Sequence, residues 1–255
     1  MQRIISITNQ KGGVGKTTTA QNLGAGLHRL GRKVLLIDFD PQGNLTDAMG
    51  YAPSELEQMV ANFCEGENFL DVVLNYDDGL DLLPSNLYFS RREIAWVQKM
   101  SREGILKRSL DRSHEYIKDY DYILLDLPPS LGLFTMNCLT ASNEVIIPVQ
   151  AEYHAMSGFD LIIESIELIQ QNTNPNIELS MVIPTMYNRT KRLNREVTKA
   201  LRENLADKLS EVAIRENIAL AEAPSYGQDI FSYAPKSNGA IDYLALSKYV
   251  DSKTK

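Results

Sequence analysis

The 255-residue chain has few cysteines and no long apolar run. Its two cysteines, Cys64 and Cys138, lie far apart and form no C-x-x-C pair, so we expect no disulfide framework and a cytoplasmic protein. No stretch of about 18 apolar residues occurs, which predicts that no helix spans a membrane. Because the first strand is predicted to begin almost at once, no signal-peptide core is expected either.

Positive charge is also scarce, with 26 Lys and Arg against 33 Asp and Glu and a formal net charge of −7. Nucleic-acid-binding proteins usually carry a basic footprint. Any contact with DNA must therefore come from a local patch rather than from the overall charge. No linker, repeat or low-complexity segment is visible, and we predict a single domain over residues 1–255.

What the sequence does have is a stretch rich in glycine and lysine, Lys11-Gly12-Gly13-Val14-Gly15-Lys16-Thr17-Thr18. It follows an apolar run and precedes a predicted helix. Glycines let backbone N–H groups turn inward and a helix N-terminus adds partial positive charge, so the arrangement is typical of a phosphate-binding loop. Residues 15–17 match the second half of the G-x-x-x-x-G-K-[ST] pattern, whereas Gln10 replaces its first glycine and Lys11 follows. The flanking strand and helix disfavour the alternative, a turn that binds nothing.

Apolar runs and helical periodicity predict alternating strands and helices. Strands are predicted at residues 3–8, 34–37, 80–83, 122–125, 145–149, 179–184 and 209–214, and helices at 17–31, 101–118, 132–142, 157–171, 191–206 and 239–250. This alternation predicts an α/β fold with one doubly wound, mostly parallel sheet and helices on both faces. The continuous apolar strands are typical of a sheet covered on both sides.

Acidic residues stand where two buried strands end. Asp38 and Asp40 follow the strand at 34–37, and Asp126 ends the strand at 122–125. Open α/β sheets bind ligands at the edge formed by the carboxyl ends of their parallel strands, which is where these residues are expected. Since the phosphate loop ends a third strand there, we expect these carboxylates to lie near bound phosphates.

Three motifs carry a resemblance to a known family: residues 11–18, residues 38–44 (DFDPQGN) and residues 126–130 (DLPPS), with residues 222–225 (EAPS) as a later signature. Essentially from end to end, the chain resembles the ParA/Soj partition ATPases, P-loop NTPases of the deviant Walker A class that includes MinD. The resemblance implies an ATPase with ATP and Mg²⁺ as cofactors and slow hydrolysis. It further implies an ATP-bound homodimer on nucleoid DNA in the cytoplasm, and stimulation by a ParB-like protein or a cargo adaptor. The cargo itself is not identified.

The resemblance also implies roles for residues around the phosphates. Lys16 would hold the β- and γ-phosphates, and Thr18 would lie at the α-phosphate. Thr17 would ligate Mg²⁺, and Asp126 would hold it through water. A helix-capping carboxylate is the alternative for Asp126.

The resemblance implies roles for three further residues of the phosphate site, Asp40, Asp38 and Lys11. Asp40 would orient the attacking water. Asp38 would contact a water bound to Mg²⁺ or act as a switch residue. An equal alternative is that its carboxylate only accepts hydrogen bonds from loop amides. Lys11 would cross a two-fold interface and stabilise charge on the partner's γ-phosphate, as an arginine finger does.

Two segments, 184–188 and 214–217, are implied to contact the adenine. Met186, Arg215 and Asn217 are the residues expected there. Asn217 matches the asparagine of the family's I-P-R-N-V-R pattern, and its amide can both donate and accept a hydrogen bond. A turn-stabilising asparagine is the alternative. In the same pattern, Glu216 and Ala219 replace two family arginines, the second of which is often assigned to DNA binding.

A basic stretch provides a substitute surface for DNA. On the predicted helix at 191–206, cations fall on one stripe, while Leu193, Val197, Leu201 and Leu205 fall on another and are expected to pack inward. Such a row of cations would bind phosphates without sequence preference, although a solvated helix face is the alternative. The predicted DNA-binding residues are Arg189, Lys191, Arg192, Arg195, Lys199 and Arg202.

The competing function is that of a MinD-like ATPase that binds to a membrane surface. It would need a basic amphipathic helix at the C-terminus. Ile241, Leu244, Leu246 and Tyr249 look instead like core residues of the last helix, and we expect no membrane partner. An iron–sulfur carrier would need paired cluster cysteines, which Cys64 and Cys138 do not supply.

Overall fold

The computed structural model describes residues 2–152 and 159–253. Over these residues the chain forms a seven-stranded sheet flanked by helices. The strands are β1 (Arg3–Ile7), β2 (Val34–Asp38), β3 (Leu74–Asp77), β4 (Leu80–Leu83), β5 (Tyr122–Asp126), β6 (Glu144–Gln150) and β7 (Glu178–Thr185).

The helices connect these strands on both sides of the sheet. They are α1 (Lys16–Arg29), α2 (Asn44–Ala48), α3 (Val60–Glu65), α4 (Phe69–Val72), α5 (Ser90–Val97), α6 (Ile105–Arg112), α7 (His114–Ile117), α8 (Leu133–Ala141), α9 (Phe159–Asn172), α10 (Arg192–Leu205), α11 (Ile218–Glu222), α12 (Ile230–Tyr233) and α13 (Asn238–Ser252). Short 3-10 turns lie at Pro53–Glu55, Leu87–Phe89, Arg102–Gly104, Ala206–Lys208 and Ala223–Tyr226. Among the described residues no helix is both long enough and apolar enough to span a bilayer.

The strand order is β3-β4-β2-β5-β1-β6-β7, and all neighbouring strands are parallel except β3 and β4. The predicted doubly wound, mostly parallel sheet is confirmed. The antiparallel edge strand β3 was not predicted. Its four residues alternate between half-buried and exposed positions, so they form no apolar run that a sequence pattern could reveal.

Both faces of the sheet are buried. Leu36 of β2 packs in a core with Leu27 of α1 and Leu246 of α13, whereas its neighbour Leu35 packs in an opposite core with Phe63 of α3. Successive side chains of a strand point to opposite faces, so burial on both sides requires the continuous apolar run that β2 shows.

Two predicted elements differ from the structure. The helix expected at 101–118 is divided, because Ser101 has a positive φ of 50° and the helical pattern breaks again at Ser113 between α6 and α7. The strand expected at 209–214 is reduced to one bridge between Leu209 and Val182. There the hydroxyl of Ser210 accepts from the N–H of Val212, a local turn that competes with strand pairing.

The remaining predicted helices are present with small changes at their ends. The helix predicted at 157–171 is described from Phe159 onwards, and its first predicted residues lie outside the described ranges. In α13, Leu246 is buried as expected, but Ile241 is 54% exposed and is not part of the core. Ile241 lies on the outer side of a helix that packs against α1 through Tyr243 and Leu246.

Candidate functional site

The sequence-predicted carboxylates meet at the carboxyl edge of three adjacent strands. In the register of the sheet, Asp126 pairs with Ile7 on one side and with Asp38 on the other. The chain leaving β1 enters the glycine loop three residues after Ile7. The strand order therefore brings the loop, Asp38 and Asp126 to one edge of the sheet, as predicted.

The glycine loop has the backbone that a phosphate group requires. Gly13 and Gly15 have φ values of 72° and 89°, in the left-handed region that favours glycine. A Cβ atom added to Gly12, Gly13 or Gly15 would meet no atom within 4 Å. Helix α1 begins at Lys16 with no side-chain cap, so its first N–H groups are left for a ligand.

Two residues, Asn9 and Thr185, hold this loop in place, a role that the sequence analysis assigned to neither. Asn9 accepts from the N–H of Lys11 at 2.9 Å and donates to the carbonyl oxygen of Pro148 at 2.7 Å. The hydroxyl of Thr185, at the end of β7, donates to the carbonyl oxygen of Val14 at 2.8 Å. Neither residue belongs to residues 11–18: Asn9 precedes the loop and links it to Pro148 of β6, and Thr185 contacts it from β7.

The residues around the expected metal position fit Mg²⁺. The hydroxyl of Thr17 donates to Asp126 Oδ2 at 2.7 Å, and the buried Asp126 Oδ1 has no hydrogen-bond partner among the described residues. Burial raises the pKa of Asp126 well above its usual value, and the nearby charge of Asp38 adds to this effect. A buried carboxylate with an unused oxygen, next to a threonine hydroxyl, fits Mg²⁺. This ion takes oxygen ligands and usually keeps several of its waters, through which a carboxylate can hold it.

Lys16 lies between the loop and the carboxylates. Its side chain is almost completely buried, and its Nζ donates to the carbonyl oxygen of Lys11 at 3.4 Å. Burial lowers the pKa of Lys16, whereas the charges of Asp126 and Asp40 oppose this shift. An ammonium group held in this position is placed to neutralise phosphate charge.

Asp38 and Asp40 have different surroundings. The carboxylate of Asp38 is fully buried and accepts from the N–H and the hydroxyl of Thr46, at 2.9 and 2.7 Å, and from the N–H of Asp40. Burial raises the pKa of Asp38 to about 7, although the hydrogen bonds from Thr46 oppose this shift. Asp38 thus makes the contacts of the structural alternative, whereas Asp40 accepts from the N–H of Gln42 near the loop.

The side chain of Lys11 contacts the end of β6 and the residues that follow it. Its Nζ donates to Gln150 Oε1 at 3.0 Å and forms an ion pair with Glu152 Oε2 at 2.7 Å. The side chain remains 46% exposed. It is therefore accessible to a second molecule facing this edge.

A cavity of about 370 Å³ adjoins the loop, and Met186, Arg215 and Asn217 line it together with Val14 and Thr18. These are the residues predicted to contact adenine. The guanidinium of Arg215 donates hydrogen bonds to both carboxylate oxygens of Asp242. The side-chain oxygen of Asn217 accepts from the N–H of Ala219 at 2.9 Å and caps α11, which is the turn-stabilising role kept as the alternative.

The six cations predicted to bind DNA are all exposed along and before α10. Three of them form ion pairs with carboxylates: Lys191 with Glu216 at 3.2 Å, Arg192 with Glu196 at 2.7 Å and Lys199 with Glu203 at 3.8 Å. Exposed ion pairs of this kind are weak. The cations of these pairs therefore remain available to an anion that binds them more strongly, such as a phosphate group.

The inward face of α10 differs from its prediction at one residue. Leu201 is buried, but Leu193 is 45% exposed. Asn194 is buried in its place, because its amide donates to the carbonyl oxygen of Ala151 and accepts from the N–H of Asn188. These two hydrogen bonds set the rotation of the first helical turn.

The fold and this edge of the sheet define a P-loop NTPase with a deviant phosphate loop. The family described as AAA domain matches residues 2–179. The sporulation initiation inhibitor protein Soj of Bacillus subtilis is 42% identical over 98% of each chain. The chromosome partitioning protein ParA of Caulobacter vibrioides is 37% identical over 98% of this chain and 94% of its own.

A solved structure shares the architecture as well. Cobyrinic acid a,c-diamide synthase from Mycobacterium smegmatis, with bound ADP and magnesium, superposes with a TM-score of 0.85 at 33% identity and covers 98% of this chain and 94% of its own. The two sequence relatives identify the family. The chain belongs to the ParA/Soj family of partition ATPases.

Proposed function

We propose that the chain is an ATP-driven positioning switch in the cytoplasm. ATP and Mg²⁺ drive its dimerisation, the dimer binds nucleoid DNA without sequence preference, and a ParB-like protein or cargo adaptor stimulates hydrolysis and releases it. The observation that carries the proposal is the contact between Thr17 and Asp126 beside the open glycine loop, with the second Asp126 oxygen unused. The ADP and magnesium in the synthase from Mycobacterium smegmatis support the same cofactors here.

The residues of the site divide the work of phosphoryl transfer. Lys16 and the N–H groups of the loop neutralise phosphate charge, and Thr17 with Asp126 holds the Mg²⁺. Asp40 orients the attacking water. Mg²⁺, when bound, supplies positive charge to the β- and γ-phosphates. The exposed Lys11 contributes a further cation to the nucleotide of the second copy.

The DNA-binding step relies on the cations of α10. Lys and Arg side chains bind the phosphate backbone through charge, so this affinity is insensitive to sequence and falls with salt. All six predicted cations are exposed, which supports this role despite Glu216 and Ala219 at the family's arginine positions. Lys191 can exchange its pairing with Glu216 for a phosphate.

A DNA titration tests the DNA-binding part of the proposal. Non-specific duplex DNA is titrated with protein in ATP–Mg²⁺ or ADP–Mg²⁺, at low and moderate salt. We compare wild type with the Arg195→Glu/Lys199→Glu double variant. The Lys107→Glu/Lys118→Glu variant is the control, because it makes the same change in net charge at exposed cations of α6 and beside α7.

We expect binding that requires ATP, weakens with salt, survives in the control and is lost in the α10 variant. Binding that survives equally in both variants would assign DNA to another surface. If wild type does not bind DNA in ATP–Mg²⁺, the proposed DNA-binding function is wrong.

A further inference from the structure

A second cavity, of about 530 Å³, lies outside the nucleotide site. Its walls come from the end of α3, the chain after α5 and helix α6, and it shares no lining residue with the cavity beside the phosphate loop. We call it the α3–α6 cavity. Small-molecule sites commonly enclose about 300–1,000 Å³, so a small organic ligand fits here. The α3–α6 cavity is lined by Cys64, Lys99, Ile105, Arg108, Ser109 and Arg112, together with two carboxylates.

Three cations of the α3–α6 cavity have no carboxylate partner. They are Lys99, Arg108 and Arg112, and no Asp or Glu oxygen of the described residues lies within 4 Å of their charged nitrogens. All three side chains are exposed, so an ion from solution can reach them. The chain as a whole has a net charge of −7, which makes such a local excess of positive charge notable.

The carboxylates of the α3–α6 cavity do not cancel this excess. Glu65 pairs with Arg92 at 3.3 Å, and Asp111 pairs with Lys107 at 3.8 Å. Whichever cations these two carboxylates contact, five cations and two carboxylates leave three positive charges at the cavity. A concave surface with an excess of one charge attracts ions of the opposite charge.

Hydrogen bonds to uncharged groups orient the two arginines. Arg112 Nη2 donates to Ser109 Oγ at 2.9 Å and to the carbonyl oxygen of Phe63 at 3.5 Å. Arg108 Nη1 donates to the carbonyl oxygen of Ser101 at 2.9 Å. Because these acceptors carry no charge, each guanidinium is held in place while its charge remains available to an anion.

The backbone that holds Arg108 is itself strained. Ser101 has a φ of 50°, a conformation that residues other than glycine seldom adopt. Its carbonyl oxygen accepts from the N–H of Gly104 at 3.1 Å as well as from Arg108. Strained residues of this kind are concentrated at ligand sites. Ser101 therefore supports a binding role for the residues that it positions.

The other side chains of the α3–α6 cavity supply buried, mainly apolar surface. Cys64 is 6% and Ile105 4% exposed. Burial raises the pKa of the Cys64 thiol, and the charges of Arg112 and Lys99 oppose this shift. The thiol thus stays neutral and lies close to both cations. Cations and apolar surface in one cavity suit a molecule that has both an anionic and an organic part.

We propose that the α3–α6 cavity binds a phosphorylated small molecule. Its phosphate contacts Lys99, Arg108 and Arg112, and its organic part lies against Ile105 and Cys64. Guanidinium groups suit phosphate because two parallel N–H donors can bind two of its oxygens at once. The site is independent of the proposed function, since it uses no residue of the phosphate loop or of α10.

Trp96 reports on this cavity, because it is the single tryptophan of the chain and Lys99 Nζ lies 6.0 Å from the centre of its ring. Ribose 5-phosphate, inorganic phosphate and ribose are titrated into protein whose phosphate loop is filled with ADP–Mg²⁺. We expect a saturable change in Trp96 fluorescence with ribose 5-phosphate and none with ribose. Inorganic phosphate is expected to bind more weakly than ribose 5-phosphate, because it lacks the organic part.

The Lys99→Gln/Arg108→Gln variant tests the assignment to these residues. Calorimetry measures its affinity for ribose 5-phosphate, since Lys99→Gln also alters the surroundings of Trp96. The control is Lys236→Gln/Lys248→Gln, which removes the same charge at two exposed lysines outside the cavity. Because hydrogen bonds to charged groups contribute most to such binding, we expect the cavity variant to bind about tenfold or more weakly. The affinity for ADP is expected to be unchanged in both variants.

Hydrogen exchange on wild type keeps the test independent of any folding defect in the variants. Exchange of residues 99–112 is expected to slow with ribose 5-phosphate while ADP–Mg²⁺ remains bound. This result, together with affinity lost only in the cavity variant, supports the proposal. No saturable change at millimolar ribose 5-phosphate, equal affinity of the two variants, or displacement of ADP by the probe would overturn it. Slowed exchange with duplex DNA instead of ribose 5-phosphate would also overturn it, because the occupant would then be a nucleic acid.

Discussion

Two fully buried carboxylates, Asp38 and Asp126, lie side by side on neighbouring strands. Burying charge away from water is unfavourable unless cations or hydrogen-bond donors compensate it. Asp38 receives its compensation from the protein, through Thr46 and the N–H of Asp40. Asp126 keeps one oxygen unused beside Lys16 and Thr17, and this difference is why we assign the Mg²⁺ to Asp126 rather than to Asp38.

Asp40→Asn is expected to slow ATP hydrolysis by about a hundredfold or more, because a neutral amide orients the attacking water less well than the carboxylate does. ATP binding and dimerisation are expected to persist, since Lys16, Thr17 and Asp126 remain. Single-turnover release of phosphate measures the effect. Asp47→Asn, at an exposed position on α2, is the control, and a hydrolysis rate equal to wild type in Asp40→Asn would remove Asp40 from catalysis.

At the scale of elements, one buried hydroxyl ties three segments together. The Thr46 hydroxyl, on α2, donates to Asp38 at the end of β2 and accepts from the N–H of Ser85 beyond β4. Gln21 of α1 adds a second link, because its amide donates to the carbonyl oxygen of Ala48 at the end of α2. The segment that carries Asp40 is therefore fixed at both ends.

Thr46→Val is expected to lower the free energy of unfolding by about 1–3 kcal/mol, because Asp38 and the N–H of Ser85 lose a buried partner while the shape of the side chain is kept. Urea unfolding of the nucleotide-free protein measures the loss. Thr46→Ser restores the hydroxyl and is expected to recover most of the stability. Equal stability of the Val and Ser variants would contradict this role.

The sequence predicted those elements of the fold that depend on a local residue pattern. The apolar run of β2 and the spacing of residues 11–18 were sufficient to place the sheet and the phosphate loop. The edge strand β3 and the burial of Asn194 instead of Leu193 were missed, because each depends on contacts with residues distant in the chain. The supporting roles of Asn9 and Thr185 were missed for the same reason.

For the whole molecule, a net charge of −7 coexists with a local basic face on α10. The sequence predicted those cations, but not that Glu216 pairs with Lys191 or that Glu203 pairs with Lys199. These pairs lower the positive charge of the face in the free protein. The affinity for DNA is then expected to depend on bringing two such faces together in a dimer.

The most direct test of the account is the mass of the protein by sedimentation equilibrium with AMPPNP–Mg²⁺ and with ADP–Mg²⁺, for wild type and Lys11→Ala. Lys11 is partly exposed and paired with Glu152, so its removal is expected to affect the second copy's nucleotide and leave nucleotide binding partly intact. We predict a wild-type dimer with AMPPNP alone and a Lys11→Ala monomer in both nucleotides. A Lys11→Ala protein that dimerises as wild type does would contradict the account.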